Sequence, residues 1–331
     1  MNRRAFLAGV AAAVATAGTG IALGRKSNAA QVLRVGVMAN LTHAPMLAGL
    51  GSGRIAQALA PVLIESRVFR AGPRVTEALI GDAIDVGTSG PAPAVVHHAR
   101  HSSASGERGG LRILGGCSSG GASLVVTRRS KIAAPEHLHG KSLAVTQIGT
   151  TQDLALRAYL AAHDLRDTVA GGDVRVIAVA GATVLAQMKT GELDGAWMPE
   201  PWATRIVREL DAVRFIDERD LWPERRFSTA VLVARADRAA DAAVRKLATA
   251  LDDEVARALR DPAKTRSEAY DELKRRIGNP GKRADFDAAW SFIDFTTDPV
   301  RSSVDELGRR AKQLGFIPES SKVETLFSAI G

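Results

Sequence analysis

The chain has 331 residues, of which 46% are hydrophobic and 24% are charged, and its formal net charge is +8. This is the composition of a globular protein with enough apolar material for a core, and the length favours two lobes over one. Lys and Arg are scattered rather than clustered, so the basic balance does not indicate nucleic-acid binding.

The first 30 residues are typical of an export signal and not of a folded core. Arg3 and Arg4 precede a weakly apolar stretch from Ala5 to Leu23, and a small-residue segment ends at Ala29 and Ala30. The order resembles a twin-arginine signal. We predict export to the periplasm and cleavage after Ala29 or Ala30. A retained membrane anchor is the alternative, which the Ala, Gly and Thr content of the stretch disfavours.

Removal of this segment lowers the net charge of the protein. It carries four basic residues and no acidic ones, so the formal charge falls from +8 to +4. A mild positive balance is compatible with an anionic ligand without establishing one. Cys117 is the single cysteine of the sequence, so no internal disulfide forms. We expect it to be a small buried side chain rather than a reactive thiol.

Strands and helices alternate along the first third of the remaining chain. Apolar patterns predict strands at 33–37, 62–68 and 84–87, and helices from Ala44 onward, over 74–80 and over 91–99. Strands that alternate with helices indicate a largely parallel α/β sheet.

A second α/β block follows. Strands are predicted at 123–126, 142–145, 174–179 and 193–197, with helices over 151–163 and 182–190. The segments 78–87 and 188–197 resemble each other: in both, a helix ends at a Gly and a short strand with an Asp follows, before a loop with proline. This internal repeat indicates two similar α/β lobes.

The last third of the chain is mostly helical. A strand at 227–234 precedes predicted helices over 239–260, 265–277 and 304–314. We therefore predict a two-lobed α/β fold around a ligand cleft, with a helical C-terminal tail. Lobe 1 comprises residues 31–118 and 230–331, and lobe 2 comprises residues 119–229.

Four loops at predicted strand ends are rich in small hydroxyl residues and glycine: 40–43, 88–90, 118–121 and 146–151. Three of them lead into a helix start, where unpaired N–H groups and the helix dipole favour an anion. Ligands of open α/β sheets gather at the carboxyl ends of strands. The alternative for each loop is simple N-capping. The candidate ligand-binding residues are Thr42, His43, Thr88, Ser89, Ser118, Ser119, Gln147, Thr150 and Thr151.

A fifth element combines a carboxylate with tryptophans at a predicted strand-to-helix junction. Glu200 lies between two prolines, beside Trp197 and Trp202. We predict that Glu200 accepts a hydrogen bond from an amine or hydroxyl of the ligand and that Trp202 forms an apolar wall. The alternative for Glu200 is a carboxylate stabilised by the helix dipole.

Two patterns resemble catalytic or metal motifs. Residues 116–120 fit G-x-S-x-G, but that motif needs a strand–turn–helix context, and 123–126 is predicted to be another strand. His97 and His101 are one helical turn apart, with no third ligand indicated. We therefore predict no catalytic residue, no cofactor and no metal site.

The same segments resemble the periplasmic binding proteins of ABC importers for aliphatic sulfonates, taurine and nitrate. The matching stretches are 71–87, with Ala71-Gly72-Pro73 at its start, 138–145, 149–151 and Glu200-Pro201-Trp202. The resemblance covers nearly all of residues 32–320. Together these motifs are specific to the superfamily, although each one is weak.

The resemblance implies a type II periplasmic-binding-protein fold whose lobes close on a ligand. It also implies delivery of that ligand to a membrane permease with an ATPase, and we expect a monomer that binds a small anionic or zwitterionic ligand. The hydroxyl loops contain no Lys or Arg, unlike sites that bind nitrate. This favours a sulfonate held by neutral donors, and Glu200 would suit the amine of taurine.

Two other functions fit parts of the sequence. The first is an enzyme on the same fold, such as a pyrimidine-precursor synthase or a hydrolase that uses Ser118, which requires a base within hydrogen-bond reach of that hydroxyl. The second is the ligand-sensing domain of a regulator, which the predicted export signal and the absence of a DNA-binding module in the sequence disfavour.

Overall fold

A computed structural model describes the backbone of residues 31–105 and 110–327. The predicted export signal at residues 1–30 lies outside this part of the chain. Within it, the strands form two sheets. The first sheet contains β1 (Val32–Met38), β2 (Leu63–Phe69), β3 (Val86–Ser89), β4 (Leu111–Gly120), β10 (Ser228–Arg235) and β11 (Ile293–Phe295), in the spatial order β11-β4-β10-β3-β1-β2.

The second sheet is built from the middle of the chain. It contains β5 (Ala122–Val126), β6 (Ser142–Val145), β7 (Arg175–Ala178), β8 (Gly195–Pro199) and β9 (Val213–Asp217), in the order β7-β6-β8-β5-β9. We call the first sheet with its packed helices lobe 1 and the second with its helices lobe 2. The fold is thus α/β with two lobes, as the sequence predicts.

Eleven α-helices lie in the described part of the chain. They are α1 (Ala44–Gly51), α2 (Arg54–Leu59), α3 (Gly72–Ile80), α4 (Pro91–Ser105), α5 (Thr151–Ala162), α6 (Gly181–Thr190), α7 (Trp202–Leu210), α8 (Ala242–Arg260), α9 (Pro262–Ile277), α10 (Arg283–Ala289) and α11 (Arg301–Gln313). No helix in these ranges is long and apolar enough to cross a membrane.

Both lobes repeat one arrangement of three parallel strands, each followed by a helix. In lobe 1, β1 pairs in parallel with β2 and β3, and the chain continues from these strands into α1, α3 and α4. In lobe 2, β6 pairs in parallel with β7 and β8, and α5, α6 and α7 follow. The carboxyl ends of parallel strands lie at one edge of a sheet, so each lobe gathers three helix starts at one edge.

The strands nearest the middle of each sheet consist of apolar or small residues along their whole length, because helices cover both faces of the sheet. β3, β5 and β8 are buried at every position. In lobe 1, one face packs around Leu47 and Leu251 and the other around Val95 and Leu307. Trp197 anchors one core cluster of lobe 2 and is fully buried.

Cys117 lies in the core of lobe 1 and is buried there, as predicted. Burial raises the pKa of its thiol to about 12. The thiolate, which is the reactive form, is therefore not populated at neutral pH.

The chain passes from the first sheet to the second at Gly121, between β4 and β5. Gly121 has φ +73, and a Cβ there would lie 2.7 Å from Ile293 Cγ1. Both the backbone conformation and the close approach require glycine. The chain returns to the first sheet between β9 and β10, after short 3-10 turns at Glu218–Leu221 and Pro223–Arg225. The lobe boundaries at 118/119 and 229/230 remain predictions.

Two of the four predicted hydroxyl loops are largely strand. Thr88 and Ser89 belong to β3 and pair with β10. Ser118 and Ser119 belong to β4, which pairs with β10 on one side and β11 on the other. The sequence pattern suggested loops because these residues are small and polar, whereas pairing with chain segments far along the sequence holds them in the sheet.

The helical tail packs mainly on lobe 1 rather than forming a separate unit, while its helix α10 lies against α7 of lobe 2. Its helices α8 and α9 lie against α1, and α11 lies against α4. The tail also contributes β11, a three-residue strand that pairs with β4. A strand this short has too few residues to show an alternating pattern, so the sequence did not predict it.

Candidate functional site

A cavity of about 540 Å³ lies between residues of the two lobes. All six helix starts at the strand ends contribute to its lining. His43 precedes α1, Gly72 begins α3, Gly90 precedes α4, Thr151 begins α5, Gly181 begins α6 and Trp202 begins α7. Three of these helices belong to lobe 1 and three to lobe 2, so each lobe presents the same kind of edge to the cavity.

This arrangement gives the cavity a positive electrostatic character. Each helix N-terminus carries a charge equivalent to about +0.5. Some first-turn N–H groups are already bonded, such as that of Ala92 to Thr151 and that of Thr204 to Glu200. The N–H groups without such partners, among them those of Gly72, Thr151 and Gly181, can donate to a ligand. Among the described residues that line the cavity, none is Asp or Glu. The site therefore offers hydrogen-bond donors and positive charge, with no carboxylate to oppose an anion.

The start of α5 combines local capping with a contact between the lobes. Thr150 Oγ1 accepts a hydrogen bond from the Asp153 backbone N–H at 3.3 Å and donates to the Gln147 carbonyl at 2.8 Å. Thr150 is thus an N-cap, which is the alternative that the sequence left open. Thr151 Oγ1 accepts from the Ala92 backbone N–H of lobe 1 at 3.4 Å.

The start of α1 is formed by the predicted loop at 40–43. Asn40 Oδ1 accepts hydrogen bonds from the backbone N–H and the hydroxyl of Thr42, both at 3.0 Å. His43 is 2% exposed, and burial lowers its pKa to about 3. Its Nδ1 has no hydrogen-bond partner among the described residues. His43 is therefore a neutral polar group in the cavity lining.

Six of the eleven predicted residues line the cavity: Thr42, His43, Gln147, Thr150, Thr151 and Trp202. Four of the other five lie in the strands β3 and β4 and are buried: Thr88, Ser89, Ser118 and Ser119. Ser89 donates to the Gly72 carbonyl at 3.2 Å, and Ser119 accepts from the Phe227 N–H at 3.2 Å. These four residues are thus covered by other parts of the protein and lie outside the cavity lining.

Glu200 is also outside the cavity lining. Its carboxylate accepts from Arg214 Nη2 at 2.7 Å and from the Thr204 backbone N–H at 2.9 Å, and the residue is 0% exposed. Burial raises the pKa of this carboxyl, and the charge of Arg214 opposes the rise. Glu200 therefore caps the first turn of α7 and forms a buried ion pair, so its carboxylate is already occupied.

Two arginines that the sequence reasoning missed line the cavity. Arg70 follows β2 directly, and Arg205 lies on α7, one turn after Trp202. A signal for each was present: Arg70 stands at the carboxyl end of a predicted strand, and positions i and i+3 of a helix share a face. The cavity therefore does contain cationic side chains, contrary to the expectation from the hydroxyl loops.

The hydroxyl of Ser118 lacks the surroundings of a nucleophile. Ser118 is 1% exposed, and its Oγ has no hydrogen-bond partner in the described ranges. A serine nucleophile needs a base within hydrogen-bond reach, so the hydrolase version that uses Ser118 does not fit. The pair His97 and His101 belongs to no group of three or more metal-ligating side chains in the part of the chain that the structure describes.

Comparison with known proteins gives a family match and several structural matches. A model of the NMT1-like family matches residues 26–270. No curated protein sequence matches the chain.

Three solved structures share the fold. The periplasmic aliphatic sulphonate binding protein SsuA from Escherichia coli is 17% identical, with a TM-score of 0.72 over 90% of this chain and 92% of that one. The alkanesulfonate-binding protein SsuA from Xanthomonas axonopodis pv. citri, bound to MOPS, is 18% identical, with a TM-score of 0.71 over 90% and 99%. The periplasmic nitrate-binding protein NrtA from Synechocystis PCC 6803 is 17% identical, with a TM-score of 0.74 over 90% and 85%. The chain thus has the fold of periplasmic binding proteins, as its sequence motifs predict.

Proposed function

Because the chain belongs to the NMT1-like family and has the fold of periplasmic binding proteins, we propose that it is the substrate-binding component of an ABC importer. In this role it captures a small oxyanion in the periplasm and delivers it to a membrane permease with an ATPase. The predicted export signal and the periplasmic location of the structural neighbours named above support this compartment. We expect it to act as a monomer.

One observation carries the proposal for the ligand. Six helix N-termini and two arginines line one cavity, and none of its described lining residues is acidic. Backbone N–H groups at helix starts bind sulfate-like and carboxylate oxygens well, and their partial charges add to those of the arginines. A cationic ligand would find no counter-charge there. The site therefore favours an anion.

Within the anions we propose an aliphatic sulfonate. A sulfonate presents three acceptor oxygens, which suits several N–H donors that converge from different helices. Two of the structural neighbours bind sulfonates by their descriptions. The cavity favours an alkanesulfonate over taurine, because the taurine ammonium needs a carboxylate partner and Glu200 is occupied by Arg214 and the start of α7.

Thermal unfolding with a panel of anions tests this function. We expect 1-butanesulfonate to stabilise the purified protein, by about 2.7 kcal/mol at a concentration 100 times its dissociation constant. Nitrate, bicarbonate and taurine are the comparison ligands, and lysine serves as a cationic control. Absence of stabilisation by any anion at millimolar concentration would contradict the proposal.

A further inference from the structure

We infer that the ligand is an organic dianion that carries no cationic group and bridges the lobes, with one acidic group bound at Arg70 and the other at Arg205. This inference rests on the proposed function, since it concerns the ligand of the same cavity.

Arg70 provides one complete acid-binding position in lobe 1. It is exposed, lines the cavity, and has no ion-pair or hydrogen-bond partner among the described residues. Ala71 and Gly72, at the start of α3, lie beside it in the lining, and the N-cap Ala71 has no side chain that could cap the helix. Pro73 has no N–H and the Arg74 N–H donates to the Ala71 carbonyl, so the Gly72 N–H is the backbone donor at this helix start. A free guanidinium beside it offers bidentate donors and one backbone donor to one acidic group.

Arg205 provides the second position, in lobe 2. Its Nε donates to Glu209 Oε1 at 2.8 Å, and its guanidinium carbon lies 5.1 Å from the centre of the Trp202 ring. These contacts hold the group in place and leave the two terminal nitrogens without a hydrogen-bond partner among the described residues. Glu209 also lies 3.8 Å from Lys282 Nζ. The three side chains together therefore retain one positive charge.

The starts of two helices complete this second position. The N-caps Ala180 of α6 and Pro201 of α7 make no side-chain cap hydrogen bond, and the cavity lining includes Ala180, Gly181 and Trp202. The Thr204 N–H of α7 already donates to Glu200. The N–H groups of Trp202 and Ala203, together with those at the start of α6, therefore remain available to an acidic group held by Arg205.

Charge balance favours two acidic groups over one. A monoanion bound at Arg70 leaves the net positive charge of the Arg205, Glu209 and Lys282 group without a counter-charge in the cavity, whereas a dianion balances both positions. A zwitterion is disfavoured further, because no carboxylate lies among the described lining residues. Since a hydrogen-bonded charge pair contributes about 1.5–3 kcal/mol, the second acidic group is expected to strengthen binding about tenfold or more.

The size and the walls of the cavity favour an organic skeleton between the acidic groups. A volume of about 540 Å³ lies in the range of about 300–1,000 Å³ typical of organic ligand sites. Met38, Trp202 and Ile277 are apolar members of its lining. They can pack against a short carbon chain.

Calorimetric titration with length-matched sulfonates tests the inference. The probes are 3-sulfopropionate as dianion, 1-butanesulfonate as monoanion and 3-aminopropanesulfonate as zwitterion, and sulfoacetate and 4-sulfobutyrate vary the spacing. We expect the best sulfocarboxylate to bind at least about tenfold more tightly than 1-butanesulfonate, and the zwitterion to bind most weakly. If no sulfocarboxylate exceeds 1-butanesulfonate while the latter binds, the inference fails and the proposed function stands. If no anion binds, both fail.

Two arginine substitutions assign the acidic groups to their positions. We expect Arg70→Gln and Arg205→Gln each to weaken binding of the best sulfocarboxylate at least about tenfold, which removes its advantage over 1-butanesulfonate. The controls Arg67→Gln on β2 and Arg166→Gln in lobe 2 make the same charge change at exposed residues outside the cavity lining. Melting temperatures without ligand verify folding. If a variant still bound the best sulfocarboxylate more tightly than 1-butanesulfonate by the same factor as the unmodified protein, the substituted arginine would not bind an acidic group of the ligand.

Discussion

His43 contributes to the cavity as a neutral group, in spite of its basic side chain. Burial at the start of α1 disfavours the charged imidazolium and lowers its pKa to about 3. An exposed histidine, by contrast, changes charge close to pH 6.5. Any attraction of His43 for an anion therefore comes from hydrogen bonding and not from charge.

We expect the affinity for 1-butanesulfonate, which stays ionised, to change less than about twofold between pH 8 and pH 5.5. A histidine with an ordinary pKa would gain a proton over this interval and strengthen anion binding on acidification, whereas His43 gains its proton only near pH 3. Calorimetric titrations at several pH values measure this. If binding tightened tenfold at pH 5.5 in the unmodified protein but not in His43→Gln, His43 would be gaining a proton in this interval. That result would contradict the neutral state assigned to His43.

The sequence predicted several of the residues that line the cavity but not its two arginines. The rule that ligands gather at strand ends and helix starts identified Thr42, Gln147 and Trp202, which line the cavity. The same rule applies to Arg70, which follows β2 directly, but the prediction was restricted to loops rich in hydroxyl residues and glycine and to the segment around Glu200. Ser119 was also predicted to bind the ligand, but its hydroxyl accepts a hydrogen bond from the Phe227 N–H, 108 positions further along the chain. Such pairings leave no local pattern in the sequence.

The six helix starts are the elements that form the site, and one of them fixes the position of an aromatic wall. Gly181 begins α6 where a Cβ would lie 2.4 Å from the Trp202 ring. The indole therefore packs directly on the backbone of α6. This close approach links two neighbouring helices of lobe 2 at the cavity.

We expect Gly181→Ala to displace the Trp202 ring, to lower stability by about 1–3 kcal/mol through overpacking, and to weaken sulfonate binding several-fold. Denaturant unfolding and calorimetry measure the two effects. Gly115→Ala is the control, because a Cβ at Gly115 meets its nearest neighbour at 3.8 Å. Unchanged affinity together with the loss of stability would show that the position of Trp202 does not matter for binding.

Long elements with clear periodicity could be predicted, and short or locally ambiguous ones could not. The parallel strands and the helices that follow them appeared in the sequence as regular alternations. The short helices α2 and α10 and the strand β9 were missed. They are positioned by tertiary contacts, such as the pairing of β9 with β5, which intrinsic propensity does not encode.

Where the chain leaves lobe 2, the carboxyl group of Glu218 is buried next to two tryptophans. Glu218 Oε2 accepts a hydrogen bond from Trp197 Nε1 of β8 at 2.8 Å. The neighbouring Trp222 belongs to a core cluster of lobe 1. The guanidinium carbon of Arg310, on α11, lies 4.5 Å from the centre of the Trp222 ring. Burial raises the pKa of Glu218 to about 7.

A carboxyl whose pKa is raised on folding stabilises the fold at low pH, and this contribution is lost as pH rises through the folded-state pKa. With the shift from 4.5 to about 7, we expect Glu218 to lower the free energy of unfolding by about 2 kcal/mol between pH 5 and pH 8. Glu218→Gln keeps an acceptor for Trp197 and removes the titration. Urea unfolding of both proteins at the two pH values measures the difference, and equal pH dependence would refute it.

At the scale of the whole molecule, the internal repeat in the sequence was sufficient to predict two α/β lobes, and the structural neighbours share that architecture. The sequence did not reveal that both lobes place positive charge at the same cavity, because Arg70 and Arg205 are far apart along the chain and each is unremarkable in its own segment.

The distribution of charge in the cavity has a consequence for the empty protein. Its two walls carry charge of the same sign, with helix starts on both sides and no acidic lining residue among those described. Like charges that face each other across a gap repel, and the repulsion grows as the gap narrows. A bound anion acts as the counter-ion that cancels this repulsion. We therefore expect a bound anion to let the walls lie closer together, and salt in the surrounding solution to weaken this effect.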